Sequence, residues 1–247
     1  MKTRCTLLVW MIVITTSGFA QTQLAKTIAC EKGKTVKLHF DYPELIKIST
    51  WEGNDIQVNG IVSINEGEND DAFVIDTDNA GSTISIKGYI KNLDDLPQRV
   101  TIFRDGQKIV FKDKAELKKY QEENGKVFNQ MNFGADLDIV LEIKIPRNVE
   151  THILSVYGMV EVKNFAGPLV AQSTYGGVDA ALSEKAVGEI TAETNYGEIF
   201  TNLETKFGGE GMQDRDFHTY VTAKPGTGPK YQLESQYGNV YIRKAVN

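Results

Sequence analysis

Apolar and polar residues alternate with period two over short stretches of this chain, and in its last third the alternation repeats around four Tyr-Gly pairs. The pairs are Tyr157-Gly158, Tyr175-Gly176, Tyr196-Gly197 and Tyr237-Gly238, with glycine intervals of 18, 21 and 41 residues, the last close to two of the others. Counting each glycine as zero, positions −7, −5, +2 and +4 are apolar in fourteen of sixteen cases, the exceptions being Thr151 and Thr201. Positions −6, −4, −2 and +3 are apolar in only five, at Leu154, Val156, Val170, Phe200 and Tyr241. That contrast marks strands with one buried face. The buried parity changes between −3 and +2, which a strand does only at a bulge or corner. Glycine sits at the change, where an unusual backbone angle or a close chain approach is easiest. Each unit reads as strand, glycine corner, strand. A period near 20 residues then predicts an all-β fold in which coils stack as a β-solenoid. Equivalent strands would lie about 4.8 Å apart, lining up the Tyr rings and the −3 hydroxyls of Ser155, Ser173, Thr194 and Ser235 as ladders. The plainer role of Tyr-Gly is to fill and bend the corner. A tyrosine row that holds a sugar or peptide requires rings that face solvent.

The earlier sequence carries weaker versions of the pattern. Val36, Leu38 and Phe40 alternate with Lys37 and His39. Ile46-x-Ile48-x-Thr50, Gly53 and Ile56-x-Val58 read as a further copy of the unit, with Glu52 in place of Tyr. Short strands are expected at Val62-x-Ile64, Phe73-x-Ile75 and Ile84-x-Ile86. Residues 21–33 read as an N-terminal linker and 34–247 as a single domain with an insertion at about 91–135. The insertion holds a hairpin over 100–111, turned at Asp105-Gly106, and a helix over 115–123, capped by Asp113 and stopped at Asn124-Gly125. Leu141-x-Ile143-x-Ile145 resumes the stack. Leu203-x-Thr205-x-Phe207-Gly208 reads as half a unit with Phe for Tyr, and 209–229 as a widened coil or flexible loop. The final strand ends in Arg243 and Lys244, whose charge would guard an open edge.

Residues 1–20 have the form of a secretory signal peptide. Lys2 and Arg4 precede a 12-residue apolar run, CTLLVWMIVITT, too short to span a bilayer comfortably. Gly18 and Ala20 provide small residues for a cut before Gln21. The remaining 227 residues would carry a net charge of −8, against −6 for the whole chain. No later segment reaches 18 apolar residues, so no transmembrane segment is expected in the mature chain. The acidic balance argues against nucleic acid and anionic lipid as partners. Cys30 alone survives the cut, which rules out an internal disulfide framework. With no His or second Cys nearby, it suggests neither a zinc site nor a thiol nucleophile.

Little else points to chemistry. His39, His152 and His218 lack metal-ligand spacing and read as solvated surface residues. Asp76-Thr77-Asp78-Asn79-Ala80-Gly81 begins like a calcium loop, but Ala80 holds the fifth position and Lys87 the twelfth. An ordinary Asx turn is expected there, and a solvated acidic loop at 66–71 (EGENDD). The +3 row of Glu161, Asp179, Phe200 and Tyr241 is the candidate binding stripe. Glu161 and Asp179 on adjacent strands would come within general acid/base distance, as in sugar-cleaving sites. The plainer reading is two exposed acids that happen to be neighbours. No catalytic, cofactor-binding or metal-binding residue is assigned, and no cofactor is expected.

The stretches LEIKIPRN, LSVYGMVEV, STYGGVDA, TNYGEIF and SQYGNVYIRK together resemble the bacterial adhesin-type proteins that include the toast-rack group of β-strand-repeat domains. IKISTWEGNDIQV is similar to the first coil of that family, and the likeness covers most of residues 36–244 outside the insertion. The resemblance implies an exported, non-enzymatic β-solenoid of the cell envelope, periplasmic or at the surface, that binds a protein or glycan as an adhesin or scaffold. It carries over no catalytic residue. An envelope-stress sensing module is one rival expectation, and a polysaccharide-active enzyme using Glu161 and Asp179 is another.

Overall fold

The alternating stretches form the strands of two sheets that bury one common core, giving an all-β protein with a single α-helix among the described residues. The computed structural model describes residues 21–126, 128–208 and 213–245, so the expected signal peptide lies outside the described residues. The first sheet runs, neighbour by neighbour, through Thr22–Ala29, Asp55–Ile64, Leu137–Pro146, Leu45–Trp51, Met159–Lys163, Val178–Leu182, Val240–Lys244 and Ile199–Thr201. The second runs through Gln213–Arg215, His218–Ala223, Glu189–Thr194, Lys230–Ser235, Leu169–Ser173, Thr151–Ser155, Thr35–Phe40, Thr83–Ile90 and Phe73–Asp78. Central strands pair parallel and in register, whereas antiparallel strands close both ends of the second sheet and one end of the first, so both sheets are mixed.

Five rungs form the middle, each giving one strand to either sheet. Their apolar residues stack in columns: Ile46, Val160, Val178, Val240 and Ile199 are successive partners in the first sheet. The first four are fully buried. The two sequence exceptions have simple causes. Thr151 is buried with its hydroxyl donating to the Val149 carbonyl at 3.1 Å. Thr201 lies on the short edge strand and is exposed.

The stacking order departs from chain order. The rung of Tyr237 is the last in sequence, yet it lies between those of Tyr175 and Tyr196 in both sheets. The long interval between Gly197 and Gly238 is therefore the path of a chain that skips one level and returns to fill it. Along that path residues 202–208 form no strand, contrary to the expected half-unit. Leu203 and Phe207 instead pack, half-buried, against the end of the core. Of the expected widened coil or flexible loop at 209–229, residues 209–212 lie outside the described residues, and the rest contains the strands Gln213–Arg215 and His218–Ala223. His218–Ala223 pairs antiparallel with Glu189–Thr194. A Cβ on Gly228 would stand 1.8 Å from the Ala186 carbonyl oxygen, so the KPGTGP segment is held by close backbone packing.

The first rung also differs from expectation. It is built from Thr35–Phe40, a corner through Tyr42 and Pro43, and Leu45–Trp51. Its corner is one residue longer than the others. The proposed copy around Gly53 is not a rung, because Leu45–Trp51 and Asp55–Ile64 share one sheet with Leu137–Pro146 between them. Residues 22–29, expected as linker, form an edge strand paired with Asp55–Ile64. Lys26 hid it by breaking the apolar alternation; its side chain reaches the Ile75 carbonyl at 2.5 Å. The strand of Arg243 and Lys244 is interior to its sheet as far as Ile242, where its outer neighbour Ile199–Thr201 ends, so on that side the two charged residues have no strand partner.

The hairpin turns at Asp105 and Gly106, both at positive φ. Gln130–Gly134 adds a third strand beside Arg99–Arg104. The helix spans Lys114–Asn124, with the Asp113 carboxylate accepting from the Ala115 and Glu116 amides at 2.8 and 2.9 Å. These elements bury a small core of their own, Val100, Ile102, Phe111 and Leu117.

Candidate functional site

The corner glycines have no left-handed backbone angle; close approach explains them. A Cβ on Gly176 would lie 2.3 Å from the Gly158 carbonyl oxygen, on Gly238 1.9 Å from that of Gly176, and on Gly197 2.0 Å from that of Gly238. Any side chain here would push two rungs apart. The −3 hydroxyls seal the same seam. The Ser235 hydroxyl accepts from the Gly238 amide at 2.9 Å and donates to the Gly176 carbonyl at 2.8 Å. Thr194 does the same between Gly197 and Gly238.

This seam sets the tyrosines in one row. Ring centroids are 5.4 Å apart from Tyr42 to Tyr157, 5.2 Å from Tyr157 to Tyr175, 5.1 Å from Tyr175 to Tyr237 and 5.1 Å from Tyr237 to Tyr196. Interplanar angles are 6 to 16°. Phe217 leans on the last ring at 5.7 Å. Exposure decides what the row can do: Tyr157 and Tyr175 are 54% exposed, Tyr196 59% and Tyr237 47%. The rings cover one another's faces and present edges and hydroxyls to solvent. Burial and the neighbouring Tyr157, Asp41 and Asp94 push the phenol of Tyr42 up. Sequence periodicity put four tyrosines in register but missed Tyr42, because Pro43 stands where the other corners have glycine.

The predicted stripe is also brought together, in the order Lys47, Glu161, Asp179, Tyr241, Phe200. It is internally satisfied. Asp179, 7% exposed, is held by both arms of the Arg243 guanidinium, with Nε donating at 2.7 Å. Glu161 pairs with Lys163. Tyr241 and Phe200 stack at 5.3 Å, and Arg243 lies 5.8 Å from the Tyr241 ring. Basic side chains therefore flank the acids. Two shallow cavities lie along it, about 260 Å³ against Glu161, Lys163, Asp179 and Arg243, and about 310 Å³ against Phe200, Tyr241 and Arg243.

The other candidates are tied into local contacts. In the calcium-like loop the Lys34 amine donates to both oxygens of Asn79, at 3.1 and 2.6 Å, and the Asp78 carboxylate accepts from the Ala80 amide. In the acidic loop, the Asp70 carboxylate accepts from the amides of Ile64 and Thr22. Glu68 pairs with Lys112 and Arg99, and the Lys112 ammonium foremost holds its carboxyl below the usual range. His39, His152 and His218 are each beside a carboxylate, Asp41, Glu150 and Glu193 respectively, at 2.9 to 3.1 Å. They are half-buried surface residues. Burial and Asp55 push the Cys30 thiol up, which lowers its reactivity.

Among solved structures, a "putative cell adhesion protein" from Clostridium sporogenes aligns over 91% of this chain and 100% of its own, with 11% identity and a TM-score of 0.45. No family model matches the chain, and no curated protein matches it. Likeness at this level assigns neither family nor function. Among the described residues, no helix is long and apolar enough to cross a membrane.

Proposed function

We propose that this is an exported, non-catalytic binding module of the cell envelope, an adhesin or scaffold whose five rungs act as a short β-solenoid and whose contact edge is the tyrosine row. The observation that carries this reading is the row itself: aromatic rings in register, four of the five about half exposed, along an edge about 20 Å long at the rung spacing. Exposed contiguous aromatic surface of this kind marks interaction sites. The leader pattern in residues 1–20 supports export. A hydrolytic reading through Glu161 and Asp179 is less favoured, since Lys163 and Arg243 engage the two carboxylates.

Co-sedimentation of the purified chain with isolated bacterial envelopes tests the reading. Wild type is expected to be retained, and the pair Tyr175→Ala/Tyr237→Ala to lose at least tenfold in retention while keeping its fold by circular dichroism. Equal retention of the folded variant would remove the tyrosine row as the contact surface.

A further inference from the structure

We propose that the tyrosine row binds a neutral, extended polysaccharide of equatorially linked pyranoses laid along the stack. This rests on the binding reading above and names its ligand class. Pitch comes first. The rings repeat at 5.1 to 5.4 Å, and an extended chain of 1,4-equatorially linked pyranoses advances one sugar in nearly that distance, with alternate sugars turned over so that a given edge recurs at every second rung. An extended peptide repeats a face only every second residue, about 6.6 Å, and drifts out of step within a few rungs.

The chemistry beside the rings agrees. The residues just before the tyrosines include Thr174, Gln236 and Asn195, and Asn239 follows Gly238. Thr174, Gln236 and Asn195 also line a hollow of about 140 Å³ beside the row, together with Gln172 and Glu234. Phenols, amides and hydroxyls both donate and accept, as sugar hydroxyls require. Charge selects further. Asp41 and Glu44 flank Tyr42, Glu198 follows Tyr196-Gly197, and the chain carries a net charge of −6. Carboxylates at both ends of the row oppose a uronate, sulfated or phosphorylated polymer. A second copy of this chain would share the pitch and the charge. However, a strip one side chain wide falls far below the roughly 800 Å² per partner of a stable interface.

The ring faces are already covered, so each sugar meets only an edge and a hydroxyl. Single-sugar affinity is then weak, and binding grows with the number of rungs engaged. The experiment is calorimetric titration of the purified chain with cello- and chito-oligosaccharides, from the monosaccharide to the hexasaccharide, with polygalacturonate as the anionic comparison. At least one neutral series is expected to gain affinity with each sugar up to about the pentasaccharide and then level off. The Tyr175→Ala/Tyr237→Ala pair should lose at least tenfold on the hexasaccharide, and Tyr175→Phe/Tyr237→Phe severalfold. If the alanine pair does not fold, the phenylalanine pair, which keeps the stack and removes two hydroxyls, decides. Absence of binding in both neutral series, affinity independent of length, undiminished binding by the folded variants, or preference for polygalacturonate would each overturn the proposal. So would loss of envelope retention after protease treatment that leaves envelope glycans intact, which would mark a protein partner. Tyrosine-dependent envelope retention without oligosaccharide binding would overturn the ligand class and leave the binding reading standing.

Discussion

The same rungs project two rows of side chains, and the rows have opposite character. Along the outer face of the first sheet, Asp179 is gripped by Arg243, Glu161 by Lys163, and Tyr241 by Phe200. Along the corner, the five tyrosines spend their faces on one another, and Tyr157, Tyr175, Tyr237 and Tyr196 leave edges and hydroxyls to solvent while Tyr42 is half-buried. In-register stacking produces both rows, so register alone does not identify a binding surface. The difference lies in which side chains reach each position: a basic residue two positions further along the same or the next strand closes on each carboxylate. Opposite charges close on each other, whereas identical aromatic rings stack and stay available at the rim.

Parting the rungs has the largest expected effect on both rows. Gly238→Ala places a Cβ 1.9 Å from the Gly176 carbonyl oxygen. It should lower unfolding free energy by about 3 kcal/mol or more in urea titration and disrupt both rows together. The rung of Tyr237 also carries a tyrosine of the opposite kind. Tyr231 is buried, its hydroxyl donates to the Phe165 carbonyl at 2.5 Å, and burial pushes its pKa up to about 12. The folded chain therefore holds this proton where the unfolded chain, with a pKa near 10, has released it. Its contribution to stability is full below pH 10 and is lost as pH rises through about 12. Tyr231→Phe should flatten the fall in stability across that window by up to about 2–3 kcal/mol.

Separating the rows needs gentler changes. Arg243→Ala strands the Asp179 carboxylate, whose side chain is 9% exposed, while the arginine itself is 56% exposed. Solvent screening puts the loss near 2 kcal/mol, below that of a fully buried pair. Envelope retention should not change. Tyr175→Ala should do the reverse: about 1 kcal/mol in stability from two stacking contacts, with a large loss of retention. The smallest effect belongs to Gly208→Ala, within about 0.5 kcal/mol of wild type, because nothing lies within 4 Å of the added Cβ.

The units around Gly158, Gly176, Gly197 and Gly238 were legible because burial parity, the −3 hydroxyl and the close-approach glycine all point to one geometry. The order of rungs was not. Val160, Val178, Val240 and Ile199 present nearly the same surface to a neighbour, so composition does not choose which stacks on which. Only the skipped level between Gly197 and Gly238 left a trace, as a doubled interval. Tyr42 was hidden by Pro43 and a longer corner, and residues 22–29 by the inward-turned Lys26. His218–Ala223 was hidden because its polar side of the alternation is as bulky as the apolar side. For the candidate site, the stripe of Glu161, Asp179, Tyr241 and Phe200 was found by register. Its closure by Arg243 and Lys163 depends on side chains two positions further along the strands, which register ignores. The openness of the tyrosine row could not be read at all, because alternation loses its meaning at a corner.

Continuity of that row depends on the last rung filling the gap, and paired cysteines test this directly. In a Cys5→Ser/Cys30→Ser background, Thr174→Cys with Gln236→Cys joins adjacent rungs about 5 Å apart, within reach of a disulfide, whereas Thr174→Cys with Asn195→Cys lies about 10 Å apart, beyond it. Mild oxidation should crosslink the first pair and leave the second reduced. A crosslink between positions 174 and 195, with none between 174 and 236, would mean that the rungs follow chain order and that Tyr237 does not sit between Tyr175 and Tyr196.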